Sequence, residues 1–210
     1  MPFNNRVSYY PAVGKNVPLR AALEERVKGA ASRGGAQGLS VQRFPPEGTV
    51  FVITNRYPDL ASWEAGVRRN AEGTAAFGEK IASLLRQPNK QELFEQLIPF
   101  PPRTGPPGFT ARTYNYPALD KAGELRALLE ERVKSGPSRG RAMSLFRQLF
   151  TPDGPVLVTS TRWPDMATYE ATTERTRADT QAFQAKVAAL VRQPNKQELF
   201  EVLIPLPPAS

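Results

Sequence analysis

The chain contains the same sequence twice. Residues 19–102 and 125–208 align at a constant offset of 106 residues, without insertion or deletion, and roughly half of the aligned positions are identical. The run RQPNKQELFE recurs unchanged at residues 86–95 and 192–201. A repeat of this length is too long for a solenoid unit and fits one small domain. The sequence therefore predicts two like domains in one polypeptide, a covalent pseudo-dimer.

The composition excludes several kinds of chemistry. The 210 residues include no cysteine and no histidine, which excludes disulfides, thiol catalysis, histidine general bases and a heme held by imidazole. A metal site would need carboxylates and carbonyls alone, and no tight acidic cluster suggests one. We therefore predict no metal and no cofactor. The first residues lack the apolar segment of a secretory signal, and no stretch is long enough to span a membrane, so we expect a cytoplasmic protein without membrane contact.

The net charge of +8 is compatible with an anionic ligand, a nucleic acid or an anionic surface. The basic residues are dispersed among acids, and no RNA-binding strand motif or DNA-reading helix is present, so we expect no nucleic-acid partner. The loops Ser32–Gly35 and Ser138–Arg141 contain Gly, Ser and Arg as phosphate-binding loops do, but they lack the strand-before, helix-after context of such motifs. The alternative to any of these functions is a basic protein with charged helix faces.

Both copies predict the same order of elements, from β-branched runs, prolines and apolar stripes. In the first copy these are strand Arg6–Tyr10, a helix opening at Pro18, strands Leu39–Phe44 and Val50–Tyr57, a helix starting at Pro58-Asp59, a helical run through Leu85 and strand Glu92–Ile98. We predict that Leu60, Trp63 and Val67 form the inner stripe of the second helix.

The order β-α-β-β-α-β is the ferredoxin-like arrangement, an α+β fold with helices on one face of an antiparallel sheet. The other face of the sheet is apolar and would be exposed to water in a single unit, and a second sheet can pack against it. We therefore predict two tandem ferredoxin-like units that form an intramolecular pseudo-dimeric α/β barrel. The predicted domains are residues 1–102 and 109–210, joined by a Pro/Gly linker at 103–108. Further homo-oligomerisation stays open.

The chain resembles the dimeric α/β-barrel superfamily, which includes antibiotic-biosynthesis-type monooxygenases, stress-responsive barrel proteins and NIPSNAP-like proteins. The residues that carry the resemblance are Arg56-Tyr57-Pro58-Asp59 with Trp63, their counterparts Arg162-Trp163-Pro164-Asp165 with Tyr169, and the final strands that contain ELFE. They resemble the family's third strand running into an aromatic-bearing helix, and its last strand. The resemblance implies the fold rather than an activity.

The resemblance also allows the residues that family members use for their activities to be compared with those of this chain. Heme-degrading members use Asn, Trp and His, and this chain has no histidine. Cofactor-free quinone-forming monooxygenases use Asn, Trp and Tyr around a polyphenol. Asn55, Trp63, Tyr9 and Tyr10 supply those residue types in the first copy, but Asn55 becomes Thr161 and Tyr9 becomes Asn115 in the second.

Three sets of side chains are candidates for ligand binding. Arg56 and Arg162 could hold a carboxylate or phenolate, or else pair with a nearby acid across the turn. Arg86 and Lys90 of the repeated run could form an anion site, or else the run is kept by the packing of its strand. The aromatic candidates could line an apolar pocket or belong to the core; they are Tyr10, Trp63 and Phe77 with their counterparts Tyr116, Tyr169 and Phe183.

The sequence leaves two functions open, and it identifies no catalytic residue. The first is a small-molecule-binding α/β-barrel protein, non-catalytic or of undetected activity, whose ligand is small and apolar or anionic. The second is a cofactor-independent monooxygenase-like enzyme for a small aromatic or polyketide-type substrate. In that case Asn55 and Tyr10 would orient a substrate that is deprotonated beside Arg56.

Overall fold

The computed structural model describes residues 2–31, 35–102, 105, 108–152 and 154–207. Most of the predicted linker at 103–108 and most of the Ser32–Gly35 loop lie outside these residues. The chain divides into two compact units. Unit 1 consists of Met1–Phe94 with Glu201–Ser210, and unit 2 of Glu95–Phe200. The domain boundaries proposed from the sequence stay a prediction.

Both repeats fold into the predicted order of elements, with the second helix broken in two. The first repeat contains β1 (Phe3–Tyr9), α1 (Asn16–Ala31), β2 (Gln37–Arg43), β3 (Phe51–Tyr57), α2 (Leu60–Arg69), α3 (Ala71–Ile81) and β4 (Lys90–Ile98). The second contains β5 (Phe109–Asn115), α4 (Ala122–Lys134), β6 (Ala142–Leu149), β7 (Val156–Trp163), α5 (Met166–Arg175), α6 (Arg177–Ala188) and β8 (Lys196–Ile204).

All eight strands belong to one closed barrel, in the hydrogen-bonded order β1-β3-β2-β8-β5-β7-β6-β4. In unit 1, β3 pairs antiparallel with both β1 and β2. In unit 2, β7 pairs in the same way with β5 and β6. The fold is therefore α+β with two ferredoxin-like repeats, as the sequence predicted.

The core of unit 1 lies between one face of the sheet and α1. Because side chains alternate between the faces of a strand, every second residue points toward the helices. The buried core residues are Tyr9, Leu19, Leu23, Val27, Leu39, Phe51, Ile53 and Ile81. Unit 2 repeats the arrangement with Leu125, Leu129, Val133, Met143, Leu145, Leu157 and Val187. Burial of such apolar faces is the main contribution to the stability of each unit.

The predicted inner stripe of α2 is wrong at two of its three positions. Leu60 and Val67 are 41% and 45% exposed, and the buried residue of α2 is Gly66. The helix turns Trp63 and Gly66, which are three residues apart, toward the sheet. A close approach of the helix to β3 selects this face, because Gly66 has no side chain to hold the two apart.

No helix in the described part of the chain is both long and apolar enough to cross a membrane.

Candidate ligand site in unit 1

Three amide side chains lie side by side on the helix-facing side of the unit 1 sheet. In the strand register, Asn55 of β3 is directly opposite Asn5 of β1 and Gln37 of β2. Asn55 and Gln37 each lie two residues from a core residue of their own strand, and Asn5 lies two residues from Val7, which packs against the same core. All three therefore share the face that packs against the helices. Directly opposed residues have Cβ atoms about 4.5–5.5 Å apart. We call Asn5, Asn55 and Gln37 the amide row.

The amide row is partly buried and incompletely hydrogen-bonded. Asn5 is only 6% exposed. Its Oδ1 atom, and the Oε1 atom of Gln37, are buried without a hydrogen-bond partner among the described residues. Asn55 donates from Nδ2 to the backbone oxygen of Asn5 at 3.5 Å, a long contact. Buried polar atoms are almost always paired, with protein, water or ligand. Two such oxygens in one row make this place a candidate site for a bound molecule or water.

Helix α2 brings an indole to the same side of the sheet. A Cβ atom on Gly66 would lie 3.0 Å from Cε1 of Tyr57, so the helix backbone passes close to the end of β3. Trp63 lies one helical turn before Gly66 and faces the same way. Its Nε1 atom is buried, and no described residue accepts its hydrogen bond. The indole N–H is therefore a donor without a partner among the described residues, on the same side of the sheet as the amide row.

Two residues at this end of unit 1 have shifted pKa values. Asp59 caps α2, accepting a hydrogen bond from the backbone nitrogen of Ser62 at 2.7 Å, and this bond holds the pKa of the Asp59 carboxyl below its ordinary value. Burial raises the pKa of the Tyr57 phenol, and the positive charge of Arg69 partly opposes that rise. Tyr57 therefore keeps its proton at neutral pH.

Unit 2 has no amide at the positions equivalent to the amide row. The residues at the equivalent register positions are Ala111, Thr161 and Met143. The place of Trp63 is taken by Tyr169, which packs edge-on against Trp163 with ring centroids 4.9 Å apart. One unpartnered donor, Nε1 of Trp163, remains among the described residues there. The second repeat therefore has no amide side chains in this region, and an aromatic contact is found there instead.

The predicted arginines lie on the other face of the sheet. Arg56 follows Asn55 in β3 and so points away from the amide row. It donates from Nη1 to the backbone oxygen of Pro207 at 2.9 Å, and burial lowers its pKa. The guanidinium of Arg162 lies over the ring of Phe100, 3.6 Å from its centroid. The structure therefore does not place Arg56 beside Asn55 as the orienting partner of one ligand.

The remaining aromatic candidates each lie near an arginine. Tyr10 follows the end of β1, about 16 Å along the chain direction from Asn5, so it is far from the amide row. Arg86 lies near its ring, and Arg192 lies near Tyr116 in the same way. Phe77 and Phe183 lie beside Arg26 and Arg132, at 4.3 and 4.7 Å from the ring centroids. Of the nine predicted residues, only Asn55 and Trp63 join the candidate site.

The repeated run RQPNKQELFE makes equivalent contacts in both copies. The backbone nitrogen of Arg86 donates to Tyr10, and that of Arg192 to Tyr116, both at 2.9 Å. Lys90 pairs with Glu92 at 3.0 Å, and Lys196 with Glu198 at 2.8 Å. These contacts favour the structural explanation of the run, because its charged groups are used within the chain.

No group of three acidic side chains that could hold a metal ion occurs in the part of the chain that the structure describes.

Known structures share this architecture. A provisional monooxygenase of Fusobacterium nucleatum is 13% identical, with a TM-score of 0.74, over 96% of this chain and 92% of that one. A provisional monooxygenase of Lactobacillus acidophilus is 10% identical, with a TM-score of 0.69, over 96% and 93%. An anthrone oxidase-like protein is 14% identical, with a TM-score of 0.63, over 96% and 91%.

The chain has the dimeric α/β-barrel fold. That agrees with the resemblance seen in the sequence. No family model matches the sequence, and no curated protein matches it either. At these low identities the comparisons establish the fold alone, and the function rests on the geometry of the site.

Proposed function

We propose that unit 1 binds a small planar molecule with hydroxyl or keto groups between its helices and sheet, at the amide row. The observation that carries the proposal is the set of three buried polar atoms without a partner among the described residues: Oδ1 of Asn5, Oε1 of Gln37 and Nε1 of Trp63. A ligand hydroxyl can donate to an amide oxygen, and a keto oxygen can accept from the indole. The aromatic ring of Trp63 favours a flat ligand.

The second repeat supports this proposal as an internal comparison. It keeps the strand register and the core, yet replaces the amides with Ala111, Thr161 and Met143. The fold therefore does not require amides at these positions. Since unpaired buried carbonyls destabilise a protein by about 1–3 kcal/mol each, a role outside folding explains their presence in unit 1.

A second candidate function is oxygenation of the bound molecule without a cofactor. It is favoured by the donors at the site, the Trp63 indole and the neutral Tyr57 phenol, which can stabilise an enolate or phenolate oxygen. In an anthrone-type reaction, the methylene carbon becomes a keto group and the second oxygen atom leaves as water. All four electrons come from the substrate. The monooxygenase and anthrone oxidase-like names of the structurally similar proteins are compatible with this chemistry.

Binding is tested by calorimetry with 1-naphthol and 1,8-dihydroxyanthrone, with naphthalene as the probe that lacks hydroxyl groups. We expect Trp63→Phe, which keeps an aromatic ring and removes the N–H, to weaken binding of the hydroxylated probes about tenfold. Tyr169→Phe is the matched control at the equivalent position of unit 2, and should leave the affinity unchanged. Equal losses in both variants, or equal affinity for naphthalene and 1-naphthol, would contradict the proposal.

Oxygen uptake with the same anthrone separates the two functions. An enzyme consumes one O₂ for each anthrone converted and releases the quinone, and Trp63→Phe slows this turnover. Binding without uptake above the spontaneous rate would leave the ligand-binding function and exclude oxygenation of this substrate.

A further inference from the structure

Four arginines of unit 2 lie close together, and two of them bind the same carboxylate. Arg132 of α4 and Arg139 of the following turn both bind Oδ2 of Asp179, at 2.6 and 2.8 Å. Arg175 of α5 donates to the backbone oxygen of Arg139 at 3.3 Å. Arg141, the fourth, donates to Oγ1 of Thr176. We call Arg132, Arg139, Arg141 and Arg175 the arginine cluster.

Among the described residues, Asp179 is the carboxylate that pairs with the arginine cluster. Burial lowers the pKa of Arg141; the charge of Asp179 opposes this shift, and the positive charges of Arg139 and Arg175 add to it. Four guanidiniums and one carboxylate leave a local charge of about +3. Nε of Arg141 is buried and has no hydrogen-bond partner among the described residues. Like charges held together in this way favour a bound anion.

The geometry also suits an anion with several oxygens. Oγ1 of Thr180 accepts from both Arg132 and Arg141 at 3.4 Å, so these two guanidiniums lie close to the same hydroxyl. Arg132 is only 5% exposed, so its side chain has little room to adopt another conformation. Guanidinium groups bind phosphate oxygens in a fork geometry that a lysine cannot reproduce.

The first repeat differs from the second at two of these five charged positions. Arg132 has its counterpart in Arg26, which keeps the contact with Phe77 and donates to Thr74. The positions of Asp179 and Arg141 are occupied by Gly73 and Gly35. The contact between an arginine and a phenylalanine therefore occurs in both repeats. Arg139 and Arg175 align with Arg33 and Arg69 of the first repeat, so the charges specific to unit 2 are those of Arg141 and Asp179.

We propose that the arginine cluster is a binding site for a phosphate or diphosphate group. The site is separate from the amide row and does not depend on the function proposed there. A dianion would neutralise most of the excess charge and would give Arg141 the partner that its Nε lacks.

The test is a thermal-shift and calorimetric titration with inorganic phosphate and pyrophosphate, compared with NaCl at equal ionic strength. We expect both anions to raise the melting temperature and pyrophosphate to bind more tightly. Arg141→Gly, which installs the residue found at this position in unit 1, should weaken binding at least tenfold. Arg126→Ala removes one charge from an exposed pair with Glu130 on α4 and serves as the control, with less than a twofold change.

Three results would overturn the proposal. They are no stabilisation beyond that of NaCl, equal losses in the two variants, and unchanged pyrophosphate binding in Arg141→Gly. If Arg141→Gly does not fold, Arg141→Lys replaces it in the test. Lysine keeps the positive charge but lacks the paired N–H groups with which a guanidinium binds phosphate oxygens.

Discussion

Replacing Gln37 with methionine is expected to stabilise the ligand-free protein and to abolish ligand binding. Methionine is the residue of unit 2 at this position, Met143, where it is buried in the core. The substitution removes a buried oxygen that has no partner among the described residues and adds apolar contact. We expect the free energy of unfolding to rise by about 1–2 kcal/mol. Opposite changes in stability and affinity are typical of functional sites.

The measurement is urea denaturation of the ligand-free protein together with calorimetry using 1-naphthol. Gln42→Met is the matched control, because Gln42 lies on the same strand with its side chain on the opposite face. It should change neither property by a comparable amount. A Gln37→Met variant that is less stable, or that binds the probe with unchanged affinity, would show that the amide contributes to folding rather than to binding.

Substitution of Leu19 by alanine is expected to cause the largest loss of stability among the changes considered. Leu19 is completely buried in the core of unit 1. Leucine-to-alanine changes at such sites destabilise proteins by about 2–5 kcal/mol, because the removed atoms leave a cavity. The denaturation midpoint should fall accordingly, without a change in which probes the protein prefers.

Leu60→Ala provides the comparison. The hydrophobic stripe of α2 predicts that Leu60 is buried, whereas the structure leaves it 41% exposed. We expect the substitution to destabilise the protein by less than about 1 kcal/mol. Comparable losses for Leu19→Ala and Leu60→Ala would contradict the position of α2 on the sheet.

The sequence predicted the fold well because the repeat and the runs of β-branched residues can be recognised without knowing which distant residues are in contact. The predicted strand Val50–Tyr57, for example, differs by one residue from β3, Phe51–Tyr57. The face of α2 was predicted incorrectly because hydrophobic spacing does not report a close approach. Gly66 carries no side chain, yet it decides which side of the helix meets Tyr57.

Two of the four residues of the candidate site were not predicted from the sequence, for a related reason. Asn55 and Trp63 stand out by residue type, but Asn5 and Gln37 have meaning only in the strand register. The signal was present in β1, where Asn5 alternates with Val7 and Tyr9 and so belongs to the apolar face. The arginine cluster was indicated only by its loop, because Arg132, Arg175 and Asp179 come from three different helices.

The number of ligand molecules bound per chain tests the central claim most directly. Calorimetry with 1-naphthol is run on the natural chain and on a variant whose unit 1 carries the residues of unit 2, Asn5→Ala, Gln37→Met, Asn55→Thr and Trp63→Tyr. We predict one bound molecule for the natural chain and none for the variant, which should be the more stable of the two. Two molecules on the natural chain, or one on each protein, would contradict the assignment of the site to unit 1.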